Sequence, residues 1–270
     1  MEIIRKAAGL IPVIKECRPL VHHITNYVTM NDSANIILAI GGSPVMANAP
    51  EEVGEVTATA KALVLNIGTP NSENFRAMLL AAERAKEMKL PIVFDPVGAG
   101  CTFFRREICR RLLSDIRPDI IKGNFSEIMY LADAGSSSCC IDSLSAPEAG
   151  RDIVEALAAG LGCIVAATGE RDVLSDGRRT YTINNGHKML SRITGTGCMT
   201  ASLIGAFSGV TEEYLTAAFG GIMAMGIAGQ LAFDSLRPGE GTGMFRVRLL
   251  DHIYNLTGEI FLKEGAASEE

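Results

Sequence analysis

Asp119-Ile120-Ile121-Lys122-Gly123-Asn124-Phe125-Ser126-Glu127 decides how this chain folds. A short apolar run passes into a helix start without a linker. Asn124 stands at an N-cap position, and Glu127 follows three residues later as its capping-box partner. The same order recurs along the chain. Ala62–Ile67, Pro91–Phe94 and Ile164–Ala167 are short runs rich in Val, Ile and Ala, each bounded by Gly, Pro or a polar residue. Helical patterns lie near Ser72–Met88, Phe104–Ser114, Ser126–Ala132 and Pro147–Ala159. Strand–helix–strand alternation at this spacing predicts an α/β fold, a mostly parallel central sheet with helices on both faces. Asp172–Ser175 and Thr180–Ile183 flank Asp176-Gly177-Arg178-Arg179 in the pattern of a hairpin. The last third reads as helices at about 197–209, 213–233 and 242–264, with a frayed tail over 264–270. Ala134–Ser145 is the most loop-like stretch, but it is short. Without an internal repeat or a Pro- or Gly/Ser-rich linker, residues 1–270 read as one domain.

With 270 residues, 47% of them hydrophobic, the chain can bury a large core. The net charge is −6 and no Lys/Arg cluster is interleaved with aromatics, which argues against nucleic acid as a partner. Arg105-Arg106 and Arg110-Arg111 read as the solvated face of a helix. Seven cysteines without Cys-x-x-Cys, and four histidines without His-x-x-x-His, give no zinc site. The cysteines mostly read as small buried hydrophobes in a reducing cytoplasm. Met1-Glu2-Ile3-Ile4-Arg5-Lys6 reads as a polar-faced helix rather than a secretory leader. Tyr214–Phe233 is twenty residues without a charge, long enough to span a bilayer. It is rich in Gly and Ala, contains Thr216 and Gln230 and lacks flanking basic residues. It therefore reads as a buried helix, with no membrane partner.

In open parallel sheets, ligands bind at the carboxyl ends of the strands. Here those ends carry Gly68, Asp95, Lys122-Gly123-Asn124 and Thr168. A second feature is Ile193-Thr194-Gly195-Thr196-Gly197-Cys198-Met199-Thr200, glycines opening an apolar helix. Such a start points the N–H groups of Gly195, Thr196, Gly197 and Cys198 at one spot, ready for an anion. Cys198 falls in the first turn, where a thiol pKa tends to fall. Together these groups suit phosphoryl transfer, which is mostly positioning and charge neutralisation. Asp95 and Glu127 are candidates to hold Mg²⁺, and Lys122 to meet a phosphate. Plainer readings fit each residue alone: a turn residue for Asp95, a helix cap for Asn124 and Glu127, a packing turn for the glycines. Two other nucleotide signatures are absent. There is no G-x-x-x-x-G-K-[ST], and Gly195–Thr200 has Thr where a dinucleotide fingerprint needs its third glycine.

Asn124-Phe125-Ser126-Glu127 resembles the N-x-x-E motif of ribokinase-like kinases. Gly195-Thr196-Gly197-Cys198 resembles their G-x-G-D anion hole, with Cys where most members carry the base Asp. Pro19-Leu20-Val21-His22-His23-Ile24-Thr25-Asn26-Tyr27-Val28 and Gly42-Ser43-Pro44-Val45-Met46-Ala47 extend the likeness. From about residue 12 to about 260, the chain is similar to the hydroxyethylthiazole kinase family of thiamin salvage.

The resemblance implies a ribokinase-like three-layer sandwich. It implies ATP- and Mg²⁺-dependent phosphorylation of the primary alcohol of 4-methyl-5-(2-hydroxyethyl)thiazole. It also implies a cytoplasmic homotrimer with active sites at the subunit interfaces. Asn26, Val28, Met46 and Gly68 then line the thiazole pocket, and Thr194 and Gly195 its end nearest the transferred phosphate. Asp95 and Glu127 organise magnesium, while Lys122, Thr168 and Asn124 lie on the nucleotide side. Lys122 stands where the family usually has Arg, keeping charge without bidentate geometry. Cys198 leaves two mechanisms open: a thiolate base, or a pocket-shaping thiol with the proton leaving on a phosphate oxygen. Other functions compatible with these residues are phosphorylation of another small alcohol, ATP-dependent dehydration of a hydrated nicotinamide cofactor, and nucleotide sensing without turnover.

Overall fold

The computed structural model describes residues 1–135 and 147–269. It begins with α1 (Glu2–Cys17), β1 (Leu20–Ile24), α2 (Met30–Ile40), β2 (Ser43–Val45) and α3 (Val53–Thr59). Strands and helices then alternate: β3 (Ala62–Asn66), α4 (Ser72–Glu87), β4 (Ile92–Asp95) and α5 (Phe103–Arg111), which runs into a π-helical turn at Leu112–Ile116. β5 (Ile120–Asn124), α6 (Phe125–Gly135), α7 (Pro147–Leu161) and β6 (Ile164–Thr168) follow. The expected hairpin is β7 (Asp172–Ser175) and β8 (Thr180–Ile183), followed by a 3₁₀ turn at Lys188–Arg192. The chain ends in α8 (Thr196–Ser208), α9 (Tyr214–Asp234), α10 (Thr242–Tyr254), α11 (Gly258–Glu264) and β9 (Ala267–Glu269).

Among the described residues, nine strands form one sheet in the order β2-β1-β3-β4-β5-β6-β7-β8-β9. β2 through β6 are parallel, and β7, β8 and β9 extend the sheet antiparallel. Side chains alternate across a strand, so each central strand feeds both faces. Val64, Val93, Ile120 and Ala166 join the core beneath α1, α2, α8, α9 and α10. Leu63, Leu65, Phe94, Ile121 and Val165 join the opposite core, beneath α4 to α7. Burial on both faces is why these strands read as unbroken apolar runs. Crossover helices are capped where the chain turns back: Asn71 accepts from Asn74 N at the start of α4, and Thr102 from Arg105 N at the start of α5.

Three features differ from the sequence reading. β1 and β2 precede the expected strands. β1 escaped notice because His22 and His23 interrupt its apolar pattern, yet both are buried with both ring nitrogens engaged. The expected long helix over 242–264 breaks at Asn255–Thr257, where Thr257 caps α11. The tail expected to fray from Glu264 is ordered up to Glu269. Glu264 closes α11, and Ala267–Glu269 pairs with β8, satisfying backbone groups that would otherwise lie open at the sheet edge. Apart from its first two residues, the loop-like stretch Ala134–Ser145 lies outside the described residues.

The uncharged segment is α9, long and apolar enough to cross a membrane by length and composition, but buried along nearly its whole length in the core. It packs on α8, α10 and α1. Its glycines explain the closeness of that packing. A Cβ built on Gly221 would lie 2.6 Å from the backbone nitrogen of Ile204 on α8, so no side chain fits. Gly221→Ala is expected to destabilise the fold by about 1–3 kcal/mol through overpacking. A lower urea midpoint at unchanged slope would report it.

Asp172 opens β7 and is buried, with Oδ1 accepting from Gly169 N at 2.9 Å. Burial pushes its carboxyl up to about 7, against the pull of the Gly169 hydrogen bond and the Lys122 charge. Between the ordinary carboxylate range and about 7, the folded state therefore binds more protons than the unfolded chain. That contribution to stability is full below the unfolded pKa and is lost as pH rises through about 7. Asp172→Asn keeps an oxygen for Gly169 without a charge to bury. The variant is expected to lose less Tm than the parent between about pH 5 and about pH 8, by thermal unfolding at both values.

Candidate active site

The carboxyl ends of β3, β4, β5 and β6 meet the start of α8. Asn66 and Asp95 are register partners at the ends of β3 and β4, and Asn124 and Thr168 at the ends of β5 and β6. Asp95 and Lys122 are only 1% and 3% exposed. Lys122 Nζ lies 3.7 Å from Asp95 Oδ1 and donates to the Gly197 carbonyl at 3.1 Å. Asn66 Nδ2 donates to Asp95 Oδ2 at 2.5 Å. Asp95 Oδ1 is thus a buried carboxylate oxygen that accepts no hydrogen bond. Burial raises the Asp95 pKa, Lys122 opposes that rise, and Glu127 adds to it.

The glycine turn opens α8 at the expected place. Gly195 caps α8 at φ 90°, a left-handed conformation, and a Cβ there would press within 2.9 Å of Thr29 Cγ2. Met199 N closes the first turn on Gly195 O at 2.8 Å. Helix geometry leaves the N–H groups of Thr196, Gly197 and Cys198, before it, without intrahelical acceptors. A Cβ on Gly197 would meet Lys122 Nζ at 3.1 Å, so glycine here keeps the cation against the turn. The Thr196 hydroxyl points elsewhere, donating to Leu190 O at 3.1 Å.

Cys198 Sγ receives Asn66 Nδ2 at 3.2 Å and Asn26 Nδ2 at 3.4 Å. Its pKa is raised rather than lowered, first by burial and then by the neighbouring Asp95 charge. The helix start was expected to depress it; burial beside a carboxylate raises it instead. At neutral pH the residue is a thiol.

The plain reading of Asn124 and Glu127 as a helix cap is correct. Asn124 Oδ1 accepts from Glu127 N at 2.9 Å, and Glu127 Oε2 from Asn124 N at 2.8 Å, a reciprocal capping box. Glu127 Oε1 accepts from Gly98 N at 2.9 Å, which pins the loop after β4. A carboxylate retains further acceptor positions after two such bonds. Among the described residues no cluster of three or more His, Cys, Asp or Glu could hold a metal. Two carboxylates with one unsatisfied oxygen instead suit Mg²⁺, which binds through one or two carboxylates, substrate phosphates and retained waters. The donor set fits that ion.

On the other side, Asn26 is buried, donating to Asn66 Oδ1 at 2.9 Å and accepting from Thr29 N at 3.0 Å. Gly68 sits against it, where a Cβ would come within 2.8 Å of Asn26 Nδ2. Val28 stands exposed between Asn26 and Thr29, Thr194 is exposed beside Gly195, and Met46 is half-buried after β2. Thr168 Oγ1 donates to Gly123 O at 3.2 Å. Contacts therefore join Asn26, Gly68, Asp95, Lys122, Gly197 and Cys198 directly, with Glu127 and Thr168 one residue removed.

Two side chains central to this geometry were not among the expected ones. Asn66 links Asn26, Asp95 and Cys198; its signal was a lone amide ending an otherwise apolar strand. Arg105, assigned to a solvated helix face, instead turns inward onto the carbonyls of Ile67, Gly68 and Val97.

A family model described as the hydroxyethylthiazole kinase family matches residues 11–259. A hydroxyethylthiazole kinase of Alkaliphilus oremlandii is 46% identical over 270 residues, covering 100% of both chains. The solved structure of a hydroxyethylthiazole kinase protein from Pyrococcus horikoshii OT3 matches with TM-score 0.89 at 40% identity, again over 100% of both chains. A ribokinase-like superfamily protein from Enterococcus faecalis matches with TM-score 0.62 at 10% identity, over 88% of this chain and 87% of its own, and shares the fold alone. The sandwich is ribokinase-like, and its full-length matches take in every strand end gathered at α8: the chain belongs to the hydroxyethylthiazole kinase family.

Proposed function

We propose that the protein transfers the terminal phosphoryl group of ATP to the primary hydroxyl of 4-methyl-5-(2-hydroxyethyl)thiazole. The observation that carries this reading is the buried Asp95–Lys122 pair meeting the glycine start of α8 beside the Asn26–Asn66–Cys198 cluster. Phosphoryl transfer asks for alignment and charge neutralisation, and these residues supply both. Lys122 brings a point charge to a phosphate oxygen. The N–H groups of Gly195 to Cys198 face the charge that builds on the transferred group. Asp95 and Glu127 would hold Mg²⁺, which neutralises phosphate oxygens when bound. Asn124 and Thr168 border the nucleotide. Asn26, Val28, Met46, Gly68 and Thr194 border the thiazole, with the buried Asn26 amide as its polar contact.

The neutral Cys198 thiol favours the second of the two mechanisms: it shapes the pocket, and the alcohol proton leaves on a phosphate oxygen. Lys122 in place of Arg gives charge without a bidentate fork, so nucleotide affinity is weakened relative to an Arg variant. The proposed assembly is a homotrimer with sites shared between copies. Its support is the exposure of Tyr27 and Val28, at 59% and 63%, beside an Asn26 that is 3% exposed. A second copy would cover that step in burial. The proposal includes a single kinase domain working in the cytoplasm; the burial of α9 supports its place as a core helix rather than a membrane span.

The test is Mg-ATP turnover on this thiazole against a panel of small alcohols, with products identified by mass. Selective thiazole phosphate is expected, with ATP consumed only when the alcohol is present. Phosphorylation of a different alcohol alone would overturn the thiazole-side assignments. Cys198→Ala is expected to keep substantial turnover, and Cys198→Asp to retain or raise it. Loss of all turnover in a folded Cys198→Ala protein would restore the thiolate-base mechanism.

A further inference from the structure

The loops after β3 and β4 carry opposite halves of the proposed site, and one side chain ties them together. Arg105 is the third residue of α5. Its backbone N–H is capped by Thr102 Oγ1 at 3.2 Å, which sets the first turn of the helix at the site's edge. From there the guanidinium reaches back. Nη1 donates to Val97 O at 2.6 Å and also to Ile67 O, while Nη2 donates to Gly68 O at 2.8 Å. Ile67 and Gly68 belong to the loop after β3, and Val97 to the loop after β4.

Each anchor is one residue from a site group. Gly68 abuts the Asn26 amide and donates its own N–H to Asn66 Oδ1 at 2.9 Å. Gly98, next to Val97, donates its N–H to Glu127 Oε1. The neighbouring Phe103 is 76% exposed and Arg106 is also exposed, so Arg105 is not drawn inward by packing of its own helix turn. A guanidinium is a rigid fork that serves several carbonyls at once, whereas an ammonium on a flexible stem is a compact point charge. Its loss leaves three carbonyls of two loops without their shared donor.

We propose that Arg105 is a positioning residue, fixing the distance between the thiazole-side loop at 67–69 and the metal-side loop at 96–98. This rests on the site assignment proposed above. Arg105 touches neither reactant; it acts through Gly68 and through the Gly98–Glu127 bond.

The test compares Arg105→Lys, Arg105→Ala and Glu127→Gln with the parent, each first checked for folding by circular dichroism and thermal unfolding. Both Arg105 variants are expected to lose about tenfold to a hundredfold in kcat, the scale of a misplaced reacting group. They are also expected to need more thiazole and more Mg²⁺ for half-maximal rate. The KM for ATP should stay within about twofold, because Lys122 and Thr168 sit on β5 and β6, outside the clamp. General loosening would raise all three together, and that result overturns the inference. If Glu127→Gln raises the Mg²⁺ requirement while both Arg105 variants keep parental thiazole and Mg²⁺ dependence, the clamp alone is wrong. If Glu127→Gln also leaves the Mg²⁺ requirement unchanged, the metal-side assignment fails and the clamp with it.

Discussion

A carboxylate at the centre of the sheet sets the terms for the rest of the site. Asp95 ends β4 in full burial, where ionisation is opposed by desolvation and by the nearby Glu127. Lys122, the Asn66 amide and the Cys198 side chain hold it toward the charged form. Removing Lys122 alone would leave a buried charge uncompensated, and removing Asn66 would leave a buried carboxylate oxygen without its donor. The cluster is therefore interdependent. Lys122 also fixes the first turn of α8 through Gly197, and Asn66 also fixes Asn26 and Cys198. Its one unsatisfied oxygen is tolerable in a site that expects a cation, and costly in one that does not.

The parallel half of the fold was legible because burial on both faces of a sheet imposes the same simple demand on each strand. β3, β4 and β6 are mostly Val, Ile, Leu, Ala and Phe with a polar last residue, β5 opens on Ile120-Ile121, and a chain has few other uses for such runs. β1 was not legible. His22 and His23 look polar in a row of letters, and only the fold supplies the Thr57, Ala47, Val21 and Ser202 partners that let them sink. β9 was hidden for a different reason: as an edge strand with a solvent-facing side, its stability comes from pairing with β8 rather than from composition.

In the site, the legible groups were those whose chemistry follows from sequence position alone. A residue just after a strand, or at the start of a glycine-opened helix, has its location set by the order of elements along the chain. Asn66 and Arg105 lacked that cue. Asn66 is part of its strand, and Arg105 sits among arginines that do face solvent, so only the direction of its side chain separates it from Arg106 and Arg110. The Cys198 thiol shows a related limit. The helix start argues for a lowered pKa, but how deeply the turn is buried, and that Asp95 lies alongside, are tertiary facts.

The paired histidines of β1 have an effect in acid. The His22 imidazole donates from Nε2 to the Ala47 carbonyl, and His23 from Nδ1 to the Val21 carbonyl. Burial lowers both pKa values, that of His23 to about 3. Below about 6.5 the unfolded chain therefore takes up protons that these rings refuse while folded. Their contribution is present above the unfolded pKa and is lost as pH falls toward the folded one. β1 leads through Thr25 to Asn26, so acidification weighs on the strand that positions the amide proposed to meet the thiazole. Acid below about 6.5 thus weighs on the β1 side of the sheet, next to the proposed pocket, through two rings that the fold keeps from taking up protons.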